Sequence, residues 1–568
     1  MRYILPLLLL PALGLAAGVS RADELLVTNG TIYTMDPAHP TVEAVVVSAD
    51  RIAFAGDLAA AREQAGERAR LLDLGGKTLI PGFIESHGHL MALGYSLAEL
   101  NLTHAQSYAE IVDMVRAAAS HMRPGEWIIG NGWHQDKWSQ PPEKIVKGFQ
   151  THEPLSAASP RNPVLLNHAS GHAIQVNAMA MKLAGITRDT GVTGGEVIRA
   201  DDGEATGILT ENAMQLVQDV LPARTPESNR KALARALGEL ARNGITSFED
   251  AGASRADIET YRALIAGGPP SVRLWVMLAG WEPDLIEEWL ARGPEIDHDP
   301  NLLTIRAIKL IADGALGSRG AWMLEPYSDR PGHYGSPLIP MQRVLDMSRK
   351  ALSRGFQMCV HAIGDRTNRE VLDQFETAFG GRHSDARFRI EHAQHLDHED
   401  IPRFGQLGVI ASMQGIHLSS DRPWAIDRLG MARIEEGTYV WRKLLDAGAI
   451  IANGTDVPVE PVNPIASFYA LVTRKTLAGT PEGGYEPSQK LTRAEALRAY
   501  TRDAAYAAFE EDIKGSIEPG KLADFTVLSG DLMTVPEDQL LALRVERTIV
   551  GGRTVFDRAH QDGEHGVR

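Results

Sequence analysis

The chain has 568 residues, 44% of them hydrophobic and 23% charged, which are the proportions of an ordinary globular enzyme too long for one core of usual size. Its formal net charge of −16 excludes the basic stripe that nucleic-acid binding needs. The single cysteine, Cys359, excludes an internal disulfide, and its apolar neighbours Phe356, Met358 and Val360 suit a buried thiol better than a nucleophile.

In chain order, the first segment reads as a secretory signal peptide over residues 1–22. Arg2 supplies the positive charge, residues 3–19 are apolar, and Ser20-Arg21-Ala22 meets the small-x-small cleavage rule. A periplasmic or secreted mature protein beginning at Asp23 is expected, with no stable membrane anchor, because the apolar run is short for a spanning helix. Residues 23–77 then show short β-type runs at 25–28, 31–34, 42–47 and 51–56. The far end behaves alike at 524–528, 545–550 and 554–556, with Gly551-Gly552 as a hairpin turn. Neither end alone makes a stable sheet, so 23–77 and 515–560 are expected to combine into one small β-sandwich.

Residues 78–514 carry eight further β-like runs: 78–84, 244–248, 272–278, 303–311, 357–361, 388–391, 408–412 and 449–453. Amphipathic helical stretches such as 228–241 and 341–353 separate several of them. Alternation of this kind implies a parallel sheet, and a count of eight implies an α/β fold of the (β/α)8 TIM-like barrel type. The interval between the first and second runs is too long for one crossover helix, so an inserted subdomain is expected at about 95–225.

The chemistry concentrates at strand ends, where barrel enzymes build their sites. His87 and His89, at i and i+2 after the first run, point to the same side of an extended strand. Lys309 lies in the fourth run, His361 closes the fifth, His392 follows the sixth and Asp456 follows the eighth. Each alone has an ordinary structural reading, as a strand-end histidine, a solvated lysine or a helix cap. Their joint placement on one face points to a metal site, because neutral imidazole and carboxylate suit zinc.

These residues sit in PGFIESHGH, IKLIADGALGSRGA, HAIGDR, RIEHAQ and NGTDVPV, followed near the C-terminus by GSIEPGKLADFTVL. In that order they resemble the amidohydrolase superfamily, in the amidohydrolase-3 or YtcJ-like branch that includes N-substituted formamide deformylase. The resemblance runs from about residue 23 to 558. It implies that His87, His89 and Asp456 hold one metal and His361 and His392 a second, giving two zinc ions per chain, with a carboxylated Lys309 bridging them. A lysine facing divalent cations has its charged form disfavoured, and the neutral amine can add carbon dioxide to give an anionic carbamate. One metal beside an unmodified Lys309 is the alternative. Asn131-Gly132-Trp133-His134-Gln135 and His168-Ala169-Ser170-Gly171-His172 look like the family's two inserted motifs near the pocket. Relatives carry Asp-Gly-His where this chain has Ser170-Gly171-His172, which leaves the role of position 170 open. His172 is the candidate donor to a substrate carbonyl, Trp133 and His134 are candidate substrate contacts, Trp322 is a candidate apolar wall, and Arg319 is a candidate carboxylate binder. His395, His398 and His417 receive no role.

The function implied is metal-dependent hydrolysis of a C–N bond in a linear amide or N-formyl compound. Divalent cations lower the pKa of water and polarise the carbonyl, while Asp456 carries the proton to the leaving nitrogen. An esterase, lactonase or carbamate hydrolase on the same site is the nearest rival, and a non-catalytic binding or regulatory protein retaining the barrel is the second. The expected partner is a small-molecule substrate, with no nucleic acid, and there is room for a homodimer.

Overall fold

The computed structural model describes residues 24–135, 138–168, 173–193, 195–222 and 224–560. The signal-like segment and residues 169–172, with Ser170 and His172, lie outside the described residues. Among the described residues, no helix is long and apolar enough to cross a membrane.

Eight parallel strands form the central sheet in strictly sequential order. They are β1 (Phe83–Gly88), β2 (Ile245–Ala253), β3 (Arg273–Ala279), β4 (Leu303–Ile311), β5 (Gln357–Ala362), β6 (Arg389–His392), β7 (Ile410–Met413) and β8 (Ile451–Asn453). Pairing of each strand with the next curls the sheet until β8 returns to β1. A parallel bridge between Gly88 and Val457 joins the two ends. Hydrogen bonds from the Asp456 amide to the His87 carbonyl (2.8 Å) and from the His89 amide to the Val457 carbonyl (2.7 Å) draw the seam together at the carboxyl ends. The result is a TIM-like barrel.

Strand alternation divides the side chains into two sets. Ile305, Ile308, Leu310, Met358, Val360 and Ile390 face outward into the large core beneath the surrounding helices. Ala251, Trp275, Met277, Ala307 and Cys359 face inward and pack with Ala508. Small residues of the segment 504–508 plug the bottom of the barrel, since Ala504 and Ala505 meet Ile84, and Ala507 meets Ile410 and Ala452. The lumen is thus filled at its amino end and left for polar groups at its carboxyl end.

The run at 78–84, expected as one barrel strand, is two strands. Thr78–Pro81 pairs with Phe525–Leu528 and with Thr31–Tyr33 in a six-stranded sheet, and only Phe83–Gly88 enters the barrel. Gly82 is the joint, where a β-carbon would stand 2.2 Å from the Thr246 hydroxyl. That six-stranded sheet combines segments from both ends of the chain and faces a four-stranded sheet containing Leu25–Thr28, Ala44–Ser48, Arg51–Gly56 and Arg70–Asp73. Val27, Val45, Leu79, Phe525 and Ile549 from the two sheets share one core. Gly551 and Gly552, both at positive φ, turn Val545–Val550 into Arg553–Asp557. Between β1 and β2, six strands from Leu100–Asn101 to Ala205–Glu211 form a further mixed sheet with its own apolar clusters.

Candidate metal centre

The carboxyl end of the barrel gathers all six expected ligands. On β1, Glu85 and His87 alternate inward, and His89 follows at the rim with its side chain 39% exposed. Lys309 rises on β4, only 2% exposed, with Nζ 3.4 Å from His87 Nε2. His361 stands at the end of β5 and packs its ring against His392 at 4.5 Å between centroids. His392 breaks the alternation of β6. Arg389 and Glu391 point into the lumen, so a regular strand would turn His392 outward; its φ of 78°, continued by Ala393 at 41°, brings the ring in against His87 at 4.9 Å. Asp456 is likewise left-handed, at φ 59°. Non-glycine residues held in that region concentrate at functional sites.

Donor atoms of His87, His392 and Asp456 lie within 4.8 Å of one another. Among the described residues, Asp456 Oδ1, 3.4 Å from His87 Nε2 and 3.1 Å from His89 Nε2, forms no hydrogen bond with acceptable geometry. Among the described residues His361 Nε2 is also buried without a hydrogen bond, although Asp313 Oδ1 is 3.5 Å away. Unpaired buried nitrogen and carboxylate oxygen are costly, and a divalent cation would satisfy both. The donor set therefore fits a divalent metal ion. The closest triad draws His87 and Asp456 from one of the two expected ligand sets and His392 from the other.

Surrounding side chains fix which ring nitrogen is free. His87 Nδ1 meets Glu391 Oε2 at 2.5 Å, and His392 Nδ1 meets Gln414 Oε1 at 2.7 Å. With Nδ1–H donated in each case, Nε2 keeps its lone pair for an ion. Arg389 holds Glu391 from behind through Nε at 2.8 Å, pairs with Glu249, and donates to the Ser86 carbonyl at 2.6 Å and the Ser412 hydroxyl at 2.7 Å. The Asp313 carboxylate accepts from the amides of Trp322, Ile363 and Gly364, tying the loop after β4 to the end of β5. Sequence reading did not assign Glu391, Arg389, Glu249, Asp313 or Gln414. A signal existed in Arg389-Ile390-Glu391, where two charges alternate within a strand expected to be buried.

Burial and neighbouring charges set the protonation states. Burial lowers His361 to about 3, helped by the nearby Lys309, and burial with His361 and His87 alongside drives His392 well below the usual imidazole value. Both are therefore neutral, as ligands must be. Burial pushes the Asp456 carboxyl up, but the His87 and His89 imidazoles outweigh it and hold the group well below the ordinary value. Glu391 is held down in the same way by Arg389 and His87 against its burial. Burial lowers Lys309, against the opposing pull of the Glu391 and Asp456 carboxylates. Glu85 goes the other way, to about 8, because burial outweighs the Thr455 amide that donates to it.

The residues expected on the substrate side have different surroundings. Trp133, a candidate substrate contact, is fully buried in the core of the inserted sheet, with Nε1 donating to the Leu166 carbonyl at 2.9 Å. His134 is half-buried and packs on His168 at 4.6 Å between centroids. Arg319 makes a forked ion pair with Asp329 through Nε at 3.0 Å and Nη2 at 2.7 Å. Trp322 is half-buried beneath Arg366. His398 is exposed and pairs with Glu436, whereas His417 is buried and stacks on His392 at 6.3 Å.

Comparison with known proteins agrees with this geometry. A model of the Amidohydrolase family matches residues 70–556. The chain is 31% identical to the putative amidohydrolase YtcJ of Bacillus subtilis, over 94% of this chain and 99% of that protein. It is 27% identical to N-substituted formamide deformylase of Arthrobacter pascens, over 95% and 99%. An uncharacterized metal-dependent hydrolase from Pyrococcus horikoshii superposes with a TM-score of 0.75 at 28% identity, covering 91% of this chain and 99% of that one. With its barrel, its rim of convergent imidazoles and its buried carboxylate, the chain belongs to the amidohydrolase family and has the fold of a metal-dependent hydrolase.

Proposed function

We propose that the protein hydrolyses the C–N bond of a linear amide, of the N-formyl or related type. The observation that carries this reading is the Asp456 carboxylate, buried and ionised among imidazoles whose outer nitrogens are already committed. His87, His89, His361, His392 and Asp456 are the residues that would hold divalent metal, which when bound would supply Lewis acidity towards a carbonyl and towards water. Asp456 takes the proton that water loses and returns it to the departing nitrogen, which must leave as a neutral amine. Glu391 and Gln414 keep the two imidazoles in the tautomer that leaves Nε2 available. A carboxylated Lys309, deep among the imidazoles with its Nζ 3.4 Å from His87 Nε2, would be placed to join a centre of two zinc ions. A single ion is favoured by the His87–His392–Asp456 triad, whose donor atoms are close enough to share one centre.

The relative named a formamide deformylase supports the amide reading, and it suggests formamides as the first substrates to try. The metal-loaded enzyme is expected to release formate from N-hexylformamide faster than from hexyl formate, once each rate is divided by its uncatalysed rate, and chelation is expected to abolish both activities. Turnover of the ester, a lactone or hexyl carbamate with none of the formamide would replace this reading with the rival one.

A further inference from the structure

Beside the metal centre stands a second polar group that the reaction described above does not use. Helix Gly415–Leu429 begins directly after β7, and its start is pinned at two points. Gln414 meets the His392 ring, and the Gly415 amide donates to Asn453 Oδ1 on β8 at 2.9 Å. His417, in the first turn, is thereby laid over the ligands, its ring 6.3 Å from that of His392 and only 11° from parallel. It is 7% exposed, and among the described residues its Nε2 has no hydrogen-bond partner. A desolvated ring nitrogen beside a reaction centre is expected to be paired in use, because leaving it unpaired is costly.

Asp421 follows one turn later on the same helix face. Its Oδ2 accepts from the Tyr439 hydroxyl at 3.2 Å and from Gln394 Nε2 at 3.3 Å, and Oδ1 meets the Ser420 hydroxyl at 3.4 Å. Gln394 lies two residues beyond His392, so this cluster and the ligands share one stretch of chain. All three contacts are long, and a carboxylate offers about four acceptor positions. Asp421 also keeps part of its surface open. A carboxylate only accepts, and an imidazole Nε2 accepts too when the ring proton sits on Nδ1, so in that tautomer the pair matches a hydrogen-bond donor on the substrate. The amide N–H is that donor, and neither an ester nor a fully substituted amide possesses it.

We propose that His417 Nε2 and the Asp421 carboxylate form an acceptor subsite for the substrate N–H, making the enzyme selective for secondary over tertiary amides; this rests on the amide reading of the site. The test compares the holoenzyme with His417→Phe, which keeps the stacked ring but not the nitrogen, and Asp421→Leu, which removes the acceptor. Formate release is measured from N-hexylformamide and N-hexyl-N-methylformamide. Binding is measured by calorimetry with N-hexylmethanesulfonamide and its N-methyl counterpart, which resist hydrolysis.

The wild type is expected to favour the N–H member of each pair by roughly 10- to 100-fold, seen in KM and Kd. Each variant is expected to bring the ratio within about threefold at wild-type metal content. A binding preference without formate release would support the subsite while overturning the amide-hydrolysis reading. No preference in the wild type, an unchanged preference in both variants, or metal loss accompanying its disappearance in both would overturn the subsite.

Discussion

Asp456 carries two demands that substitutions can separate. Asp456→Asn keeps the size and one coordinating oxygen but accepts no proton, so metal should largely remain while kcat on N-hexylformamide falls by roughly 10²–10⁴. The loss should be much smaller on para-nitrophenyl acetate, whose leaving group needs no proton. Equal losses on both substrates, in a variant shown to hold metal, would remove the proton-transfer role. A second residue-scale prediction concerns His395, which is buried against Thr438 at 3.0 Å and lowered by burial, with the Arg433 charge contributing, to about 3 from an ordinary 6.5. Its folded-state value is depressed, so its contribution is intact above pH 6.5 and is lost as pH falls, because the unfolded chain binds a proton that the folded chain excludes. At pH 5 this amounts to about 2 kcal/mol lost relative to neutral pH. Denaturant titrations of wild type and His395→Gln across pH 5 to 8 should show the shallower slope in the variant.

At the scale of the element, β6 shows how four residues serve the fold and the site together. Ile390 packs outward, Arg389 and Glu391 build the ion network inside the lumen, and His392 leaves strand geometry to reach the centre. The buried network is held together by complementary charge: Glu249 and Glu391 share Arg389, and Glu391 reaches His87. Glu391→Gln keeps an acceptor for His87 Nδ1–H but removes the negative charge that raises the ligand's basicity and balances Arg389. Metal affinity should fall by roughly 10- to 100-fold, read by competition with a chromophoric chelator, while the fold persists by circular dichroism. Affinity unchanged in this variant would mean that Glu391 serves Arg389 alone.

Across the whole molecule, the terminal sandwich and the inserted sheet have apolar clusters separate from the barrel core, whereas the metal ligands belong to the barrel and its loops. Metal should therefore stabilise one part of the molecule. At a free concentration of 1,000 times Kd, binding contributes about 4 kcal/mol to that part. Calorimetry of chelated and reloaded protein should separate a metal-sensitive transition from one that metal leaves in place. Elemental analysis of the reloaded protein decides the number of ions, near two per chain for the bridged centre and near one for a centre on His87, His392 and Asp456.

Much of this was legible in the linear sequence, for reasons that are local. Strand alternation put His87 and His89 on one side of β1, runs of apolar residues marked the eight strands, and histidine at successive strand ends announced a site at one face of the barrel. Gly551-Gly552 marked the hairpin turn near the C-terminus. Other features depend on parts of the chain far apart in sequence. The division of 78–84 between two sheets follows from the approach of Gly82 to Thr246, 164 positions onward. His392 joins the centre through a left-handed backbone that strand periodicity would not assign to it. Glu391, Asp313 and His417 take their meaning from His87, His361 and His392, and Arg319 and Trp133 find hydrogen-bond partners in Asp329 and the Leu166 carbonyl. Local pattern determines which residue types reach a strand end and on which side, because it acts through backbone geometry. Partner choice, burial and protonation are decided by the tertiary structure, because they depend on which distant groups remove water from each side chain.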